Sequence, residues 1–280
     1  MQAISEGLST SWAEVALTQL QLWLTVFTID TLRYFIGVGL VSFVLFVWLR
    51  SWSKSRKIQS RQASKKDIKR EITYSLITTG VYATIALFTV QALELGYMQV
   101  YEQVSVHGWL YTLLTLPILL VLHDTYFYWA HRLMHHKKLF RWVHKVHHLS
   151  RTPTPWAAYS FAPAEAFVMA LFMPFMLWAI PLHGAVIFVF LSIMIVRNAM
   201  GHSGVEFHHQ GWVDGPLDVF TTITHHDQHH QDFNGNFGLY FTWWDRLMGT
   251  ELPCYKARFH EAARGNKPDA QASLIIQEEG

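Results

Sequence analysis

The sequence predicts an all-α protein, a multi-pass transmembrane helical bundle that carries a histidine-rich cap on its cytoplasmic side. Three observations predict this fold class: long apolar runs, an uneven distribution of Lys and Arg, and three dense histidine clusters. Of the 280 residues, 51% are hydrophobic and only 15% are charged, which is apolar for a soluble globular protein. The bundle is expected to have four spans, or two spans plus hairpins.

Five apolar runs approach the roughly 20 residues that a helix needs to cross about 30 Å of hydrocarbon. They cover residues 25–49, 73–95, 108–130, 163–180 and 184–199. The last two runs are short, so they form either a tilted pair of spans or a hairpin that only dips into the membrane. Residues 1–15 lack the basic region and cleavage site of a signal peptide, so the first apolar helix is expected to be retained.

Basic residues predict the orientation of the bundle. Residues 50–70 hold nine Lys or Arg and one Asp, whereas residues 96–107 hold no Lys or Arg. The positive-inside rule therefore places the basic segment in the cytoplasm, in a bacterial inner membrane or the endoplasmic reticulum. Counting spans from there places all three histidine clusters on the same side.

The chain divides into three predicted segments. Residues 1–106 form the N-terminal spans and basic loop, residues 107–252 the catalytic domain, and residues 253–280 a C-terminal tail. The single cysteine, Cys254, excludes an internal disulfide framework and a cysteine-based metal site. No nucleic-acid partner is expected.

The histidine clusters have helical spacing, because residues three and four apart share a helix face. The candidates are His131 and His135; His144, His147 and His148; His225, His226, His229 and His230; and His202. One straight helix would aim the first two clusters apart. The chain must therefore bend between them, or the second cluster lies on a separate helix that folds back. The third cluster is expected on a short helix ended by an Asn-Gly turn, and its spacing does not exclude His225.

Neutral imidazole is the commonest metal ligand in proteins and suits iron, zinc and copper. Eight or more convergent nitrogens exceed the three or four that one zinc site uses, so the clusters predict two metals. A redox pair such as two irons, with positions left open for O2, explains so many ligands at a lipid-facing site.

Polar neighbours of the clusters are candidates for supporting roles. Asp124 and Tyr128 lie on the same helical stripe as His131, Glu206 follows His202 by one turn, and Asp227 lies inside the third cluster. The three carboxylates are expected to accept the second N–H of the imidazoles. His123 is a weaker candidate because it points away and lies deeper. Asp245 and Arg246 are expected to pair with each other, and Trp243 and Trp244 to anchor at a membrane interface.

The stretches "YWAHRLMHH", "HKVHH", "HSGVEF" and "HHDQHHQDFNGNFGLYFTWWDRLMGTE" resemble the fatty acid hydroxylase and sterol desaturase superfamily over residues 109–252. The last stretch looks most like its C4-methylsterol oxidases. The resemblance implies an integral membrane enzyme with two nonhaem irons that uses O2 to hydroxylate, oxidise or desaturate a lipid. It also implies electrons from NAD(P)H through a separate cytochrome b5- or ferredoxin-type donor.

The resemblance implies metal ligands at His131, His135, His144, His147, His148, His226, His229 and His230, with His202 as a ninth. His136 matches a repeat that the family does not require, so it is expected to lie outside the site. Ala162 stands where the family commonly has a histidine before Pro-x-Glu. This departure weakens the transfer of substrate identity from the eukaryotic sterol enzymes.

Two rival classes make different predictions. A metal transporter or metal-binding membrane protein would line a path at mid-membrane depth, and an inactive relative would have broken clusters. Intact clusters at one membrane surface favour the lipid oxygenase. The sequence does not choose between a sterol, sphingoid base, fatty acyl chain, carotenoid or ether lipid, nor between hydroxylation and desaturation.

Overall fold

The computed structural model describes residues 12–265, and it confirms the all-α, multi-pass fold class. The helices are α1 Trp12–Phe43, α2 Arg50–Ser55, α3 Lys65–Glu94, α4 Gly108–Met134, α5 Phe140–Val143, α6 Lys145–His148, α7 Pro163–Ala170, α8 Phe172–Ala179, α9 Gly184–Gly201, α10 Ile223–Asp232, α11 Trp243–Leu247 and α12 Tyr255–Arg264. Part of the N-terminal stretch, which is expected to be retained, lies outside the described residues, as does the end of the C-terminal tail. The division into three segments stays a prediction.

Four helices are long and apolar enough to cross a membrane by length and composition. They are Trp12–Trp48, Lys65–Glu94, Gly108–Met134 and Gly184–Gly201, where the first includes a π-helical turn at Val44–Trp48. Helix α3 begins before its apolar run, at a polar cap. Ser64 begins α3 with a capping box in which its hydroxyl and the Asp67 carboxylate each accept the other residue's backbone N–H.

The apolar run at 163–180 forms two eight-residue helices, α7 and α8. With α9 they make a helical hairpin whose tip, strand β2 (Leu182–His183), pairs in parallel with strand β1 (Val100–Tyr101). Strand β1 belongs to the loop between α3 and α4, so the hairpin tip lies at the same end of the bundle as that loop.

The opposite end of the bundle carries the histidine clusters and the basic segment. Arg56 Nε donates to the Glu206 carbonyl at 2.6 Å, and Gln59 Nε2 donates to the Asp227 carboxylate at 3.0 Å. The basic segment and the clusters therefore lie at one end, as the span count predicts. That this end is cytoplasmic stays a prediction.

The bundle core is built around a 3₁₀ turn at Pro155–Tyr159. Helices α1 and α9 both bind its backbone: Tyr34 Oη donates to the Trp156 carbonyl at 2.9 Å, and Asn198 Nδ2 donates to the Ala158 carbonyl at 2.6 Å. Tyr34 also stacks on Tyr159, with ring centroids 5.8 Å apart. This turn thus ties the spans to the segment that follows the second histidine cluster.

Asp124 fastens the C-terminal segment to α4. Its Oδ1 accepts backbone N–H groups of Leu239, Tyr240 and Phe241 at 2.7–3.2 Å, and its Oδ2 accepts the Trp243 indole N–H at 2.9 Å. The expectation that Asp124 orients an imidazole is therefore wrong. Two buried and two partly buried donors surround this carboxylate, and the buried ones would be costly to leave without an acceptor.

One further expectation for this segment is corrected and one stays a prediction. The Trp244 indole donates to Thr125 Oγ1 at 3.1 Å, so the tryptophans attach this segment to α4, and their anchoring at a membrane interface stays a prediction. Asp245 is buried and accepts the backbone N–H groups of Phe237 and Gly238, whereas Arg246 pairs with Asp218 and Glu251. Asp245 and Arg246 therefore do not pair, because each has partners in a different segment.

We predict that Asp124→Ala destabilises the protein by at least about 3 kcal/mol, because it leaves buried N–H groups without an acceptor. Denaturant unfolding in detergent measures this loss. Thr125→Ala, which removes one hydroxyl that accepts from the Trp244 indole and donates to the Val121 carbonyl, is the matched control and should cost about 1 kcal/mol. Equal stability of the two variants would contradict the fastening role of Asp124.

Candidate metal centre

Nine histidines converge at one end of the bundle and form two groups. The first group contains five residues and the second contains four, and within each group the ligand atoms lie within 4.8 Å of one another. Group one is His131, His135, His144, His148 and His229; group two is His147, His202, His226 and His230. These are the nine residues that the sequence analysis singles out as ligands.

The spacing of the clusters determines which group each residue joins. Residues four apart on a helix differ by about 40° in direction, whereas adjacent residues differ by about 100°. Accordingly, His226 and His230 share group two, while His229 joins group one. His144 and His148 likewise share group one, although His147 joins group two. Each His-x-x-His-His cluster thus supplies both groups.

The chain breaks between the first two clusters, as the helical arithmetic requires. Helix α4 ends at Met134 with His135 as its C-cap, and His144 lies at the junction of the short helices α5 and α6. The third cluster occupies α10 as expected. Its end differs slightly, because Phe233 adopts the left-handed conformation (φ 62°) one residue before Asn234.

All nine imidazoles point their Nε2 atoms inward. In group one, His131 and His144 approach to 3.0 Å between their Nε2 atoms, and His148 lies 3.1 Å from both His135 and His229. In group two, the Nε2 atom of His202 lies 3.3 Å from that of His147 and 3.1 Å from that of His226. His230 lies 3.2 Å from His226.

Backbone carbonyls fix the tautomer of three of these rings. Nδ1 of His131 donates to the Phe237 carbonyl at 3.0 Å, Nδ1 of His202 to Asn198 at 2.7 Å, and Nδ1 of His229 to Gly235 at 2.7 Å. A carbonyl only accepts, so Nδ1 carries the proton and Nε2 of each neutral ring presents a bare lone pair.

Glu165 holds a fourth ring. Its Oε1 lies 2.7 Å from Nδ1 of His144, and both side chains are 2% exposed. Sequence analysis missed this residue, although Glu165 ends the Pro-x-Glu motif beside Ala162. An ionised Glu165 would increase the basicity of the His144 ring, and the contact at Nδ1 leaves Nε2 facing the group.

Burial keeps these imidazoles neutral. Desolvation lowers the pKa of His144, His147 and His148 well below the usual histidine value, and the neighbouring rings lower it further. Burial likewise lowers the pKa of His202 to about 4. Neutral rings with bare Nε2 atoms are the form in which histidine binds a metal.

The donor set fits a pair of metal ions. Bare lone pairs aimed at one another across about 3 Å repel, and a cation placed among them turns that repulsion into bonding. Group one could hold one ion with up to five nitrogens, and group two a second ion with up to four. All nine rings are buried except that of His135, which is half-buried.

The other predicted site residues contact none of the nine rings through a hydrogen bond in the structure. Tyr128 Oη bonds Thr250 Oγ1 at 2.9 Å. Glu206 lies in the loop after α9, so it does not share a helix face with His202; it accepts from His208 Nδ1 at 2.6 Å and Thr224 N at 2.9 Å. Asp227 accepts from the side chains of Gln59 and Gln231. These residues and Asp124 hold the elements around the rings in place. The expectation that the three carboxylates orient the ligand imidazoles was therefore wrong, since the only imidazole that Glu206 contacts is that of His208, outside both groups.

Three of the histidines considered as candidates from the sequence lie outside both groups. His123 Nδ1 bonds the Tyr240 hydroxyl at 3.0 Å, and His136 is exposed next to Lys138. His225 is buried with Nε2 3.5 Å from Asp245. The spacing of the third cluster leaves His225 open as a ligand, and its ring faces away from its neighbours because it precedes His226 by about 100°.

An apolar cavity of about 300 Å³ reaches from the histidine end into the bundle. At the histidine end its walls include Phe127 and Phe161, whose rings lie 5.0 Å from His131 and 5.2 Å from His147 respectively. At the other end the walls include Leu93 and Val100. The cavity thus extends from the membrane-spanning region to two aromatic rings that each contact one histidine group.

Comparison with known proteins agrees with this arrangement. Residues 116–250 match the family model described as Fatty acid hydroxylase. Lathosterol oxidase of Rattus norvegicus is 28% identical over 195 residues, which cover 68% of this chain and 62% of the relative. A Delta(7)-sterol 5(6)-desaturase of Aspergillus fumigatus is 30% identical over 201 residues, covering 65% of this chain and 62% of the relative.

Methylsterol monooxygenase 1 of Rattus norvegicus is 30% identical over 155 residues, covering 54% of this chain and 51% of the relative. The chain therefore spans less than two thirds of the length of these relatives. No solved structure matches the chain. The resemblance found in the sequence is confirmed: residues 116–250 form a domain of the fatty acid hydroxylase family, and the relatives are sterol oxidases, desaturases and monooxygenases.

Proposed function

We propose that this protein is a membrane-bound nonhaem di-iron oxygenase that hydroxylates, oxidises or desaturates an unactivated C–H bond of a lipid. The observation that carries the proposal is the convergence of nine Nε2 atoms in two adjacent groups at the end of an apolar cavity. The names of the relatives support the same chemistry, since they are sterol oxidases, desaturases and monooxygenases.

The roles of the protein groups follow from their contacts. The nine histidines would hold two irons, which when bound supply the redox chemistry that uses O2 and electrons to remove hydrogen from the lipid. Glu165 and the carbonyls of Asn198, Gly235 and Phe237 keep four of the rings with Nε2 inward. Burial of the rings excludes bulk water from the reacting carbon.

The cavity would hold the lipid. Phe127 and Phe161 lie between the cavity and the rings of His131 and His147, so a carbon at that end approaches both groups. A sterol is the favoured substrate class, because the relatives are named for sterols. We also propose that the site faces the cytoplasm, where the basic segment lies, and that a separate cytochrome b5- or ferredoxin-type protein delivers electrons from NAD(P)H.

Turnover tests the proposed activity. Lipid extracts of cells that express the wild-type chain should contain a lipid with one added oxygen atom or two fewer hydrogens, detected by mass spectrometry. Cells that express His147→Ala should lack this product. Identical lipid profiles for the wild type and the variant under aerobic growth would contradict an oxygenase.

We predict that His229→Ala and His147→Ala, one from each group, abolish bound iron and turnover while the protein still inserts into the membrane. Each substitution removes one ligand and leaves its neighbours' lone pairs uncompensated. Iron per chain is measured on detergent-purified protein. His136→Ala is the matched control and should retain wild-type iron, because its ring is exposed and outside both groups. A His147→Ala protein with full iron and activity would disprove the ligand assignment.

We predict that Glu165→Gln weakens iron binding about 10- to 100-fold, the usual effect of removing a carboxylate that supports a ligating histidine. The rate of iron loss to a chelator measures the change. Glu251→Gln, which alters a carboxylate paired with Arg246 at the surface, is the control and should not change the rate. Equal rates for both variants would show that Glu165 does not support His144.

A further inference from the structure

A buried ion pair lies in the wall of the apolar cavity, within the first membrane span. Arg33 Nη2 is 2.7 Å from Asp30 Oδ1, and the two side chains are only 12% and 13% exposed. Both residues line the cavity, together with Tyr159, which is 1% exposed. Charged residues inside a membrane span are costly and usually serve a function.

Two polar atoms of this cluster lack a hydrogen bond of normal geometry. The side chains of Arg33 and Tyr159 interact with each other, but neither Arg33 Nε nor the Tyr159 hydroxyl meets the geometry of a hydrogen bond with any described residue. A buried donor without an acceptor costs free energy, and in an apolar cavity the remaining source of an acceptor is the occupant. The cluster is therefore built to meet a polar group on whatever fills the cavity.

Charge defines which polar group fits. Asp30 already neutralises Arg33, so a carboxylate or phosphate in the cavity would bring an unpaired negative charge into the span. A hydroxyl carries no charge, accepts from Arg33 Nε and can also exchange a hydrogen bond with Tyr159. The cluster thus matches an alcohol better than an acid.

Position defines the orientation of that group. Tyr159 contacts Phe161 with ring centroids 6.3 Å apart, and Phe161 contacts His147 at 5.2 Å. The polar cluster therefore lies near the histidine end, and the cavity continues from it toward Leu93 and Val100 with mostly apolar walls.

We propose that Arg33 and Tyr159 form the hydroxyl-binding site of a neutral lipid alcohol, which enters the cavity with its hydroxyl near the histidines and its apolar body in the span. Asp30 positions Arg33 and balances its charge. A further consequence rests on the proposed function: the same placement puts the oxidised carbon within a few bonds of the hydroxyl-bearing carbon rather than at the far end of the lipid.

Saturable binding of tritiated lathosterol to the full-length, detergent-purified protein tests this site, with lathosterol 3-methyl ether and palmitate as competitors. Wild-type protein should bind lathosterol, and the ether and palmitate should compete at least about fivefold more weakly, because the ether cannot donate and palmitate is charged. Binding needs neither iron nor electrons, so a failure of the oxygenase proposal leaves this measurement intact.

Tyr159→Phe should weaken lathosterol binding about five- to tenfold and leave binding of the ether unchanged, since phenylalanine retains the ring and removes only the hydroxyl. Arg33→Lys, which keeps the charge and removes Nε, should have a similar effect. Tyr111→Phe is the matched control: its hydroxyl binds the Pro181 carbonyl at the opposite end of the bundle, so lathosterol binding should not change.

Three results would overturn the site. The first is that lathosterol does not bind saturably. The second is that the ether or palmitate competes as strongly as lathosterol itself, and the third is that both variants fold and bind lathosterol as the wild type does. For an active enzyme, fragmentation of the product by mass spectrometry locates the oxidised carbon. Oxidation at the end of the lipid remote from the hydroxyl would overturn the proposed orientation.

Discussion

The structure depends on the mutual approach of nine imidazole Nε2 atoms. His131 and His202 each donate the Nδ1 proton to a backbone carbonyl, so the Nε2 atom of each ring carries a bare lone pair. These Nε2 atoms lie about 3 Å from those of His144 and His226 respectively. Such an arrangement is unfavourable unless cations lie among the nitrogens. The free energy that packs the chain around this centre must therefore come from elsewhere in the fold.

Two features supply that packing. The spans meet on the turn at Pro155–Tyr159, which places the second cluster at the end of the bundle. Asp124 draws the segment 239–243 onto α4, and this brings the preceding loop over the rings of His131 and His229. Gly235 permits that close approach, because a Cβ there would clash with the Thr250 carbonyl oxygen. The histidines that form the centre are thus mostly different residues from those whose contacts position it.

Much of this arrangement could be predicted from the sequence. Apolar run length identified the spans, and the repeat of three and four residues identified the nine histidines that converge. The sequence could not assign the supporting groups, for a physical reason. Backbone carbonyls such as those of Gly235 and Phe237 have no residue signature, and a carboxylate near a histidine in sequence can turn to other donors, as Asp124 and Glu206 do. Glu165 reaches His144 only through the tertiary fold.

The proposed pair of redox-active metals in the adjacent histidine groups is tested most directly by the iron, zinc and copper content per chain. This content is measured by element on the wild-type protein, purified in detergent from iron-sufficient cells. We expect close to two irons per chain. A single zinc, or a mixture of metals well below one per chain, would contradict this expectation and favour a metal-binding protein without oxygenase chemistry.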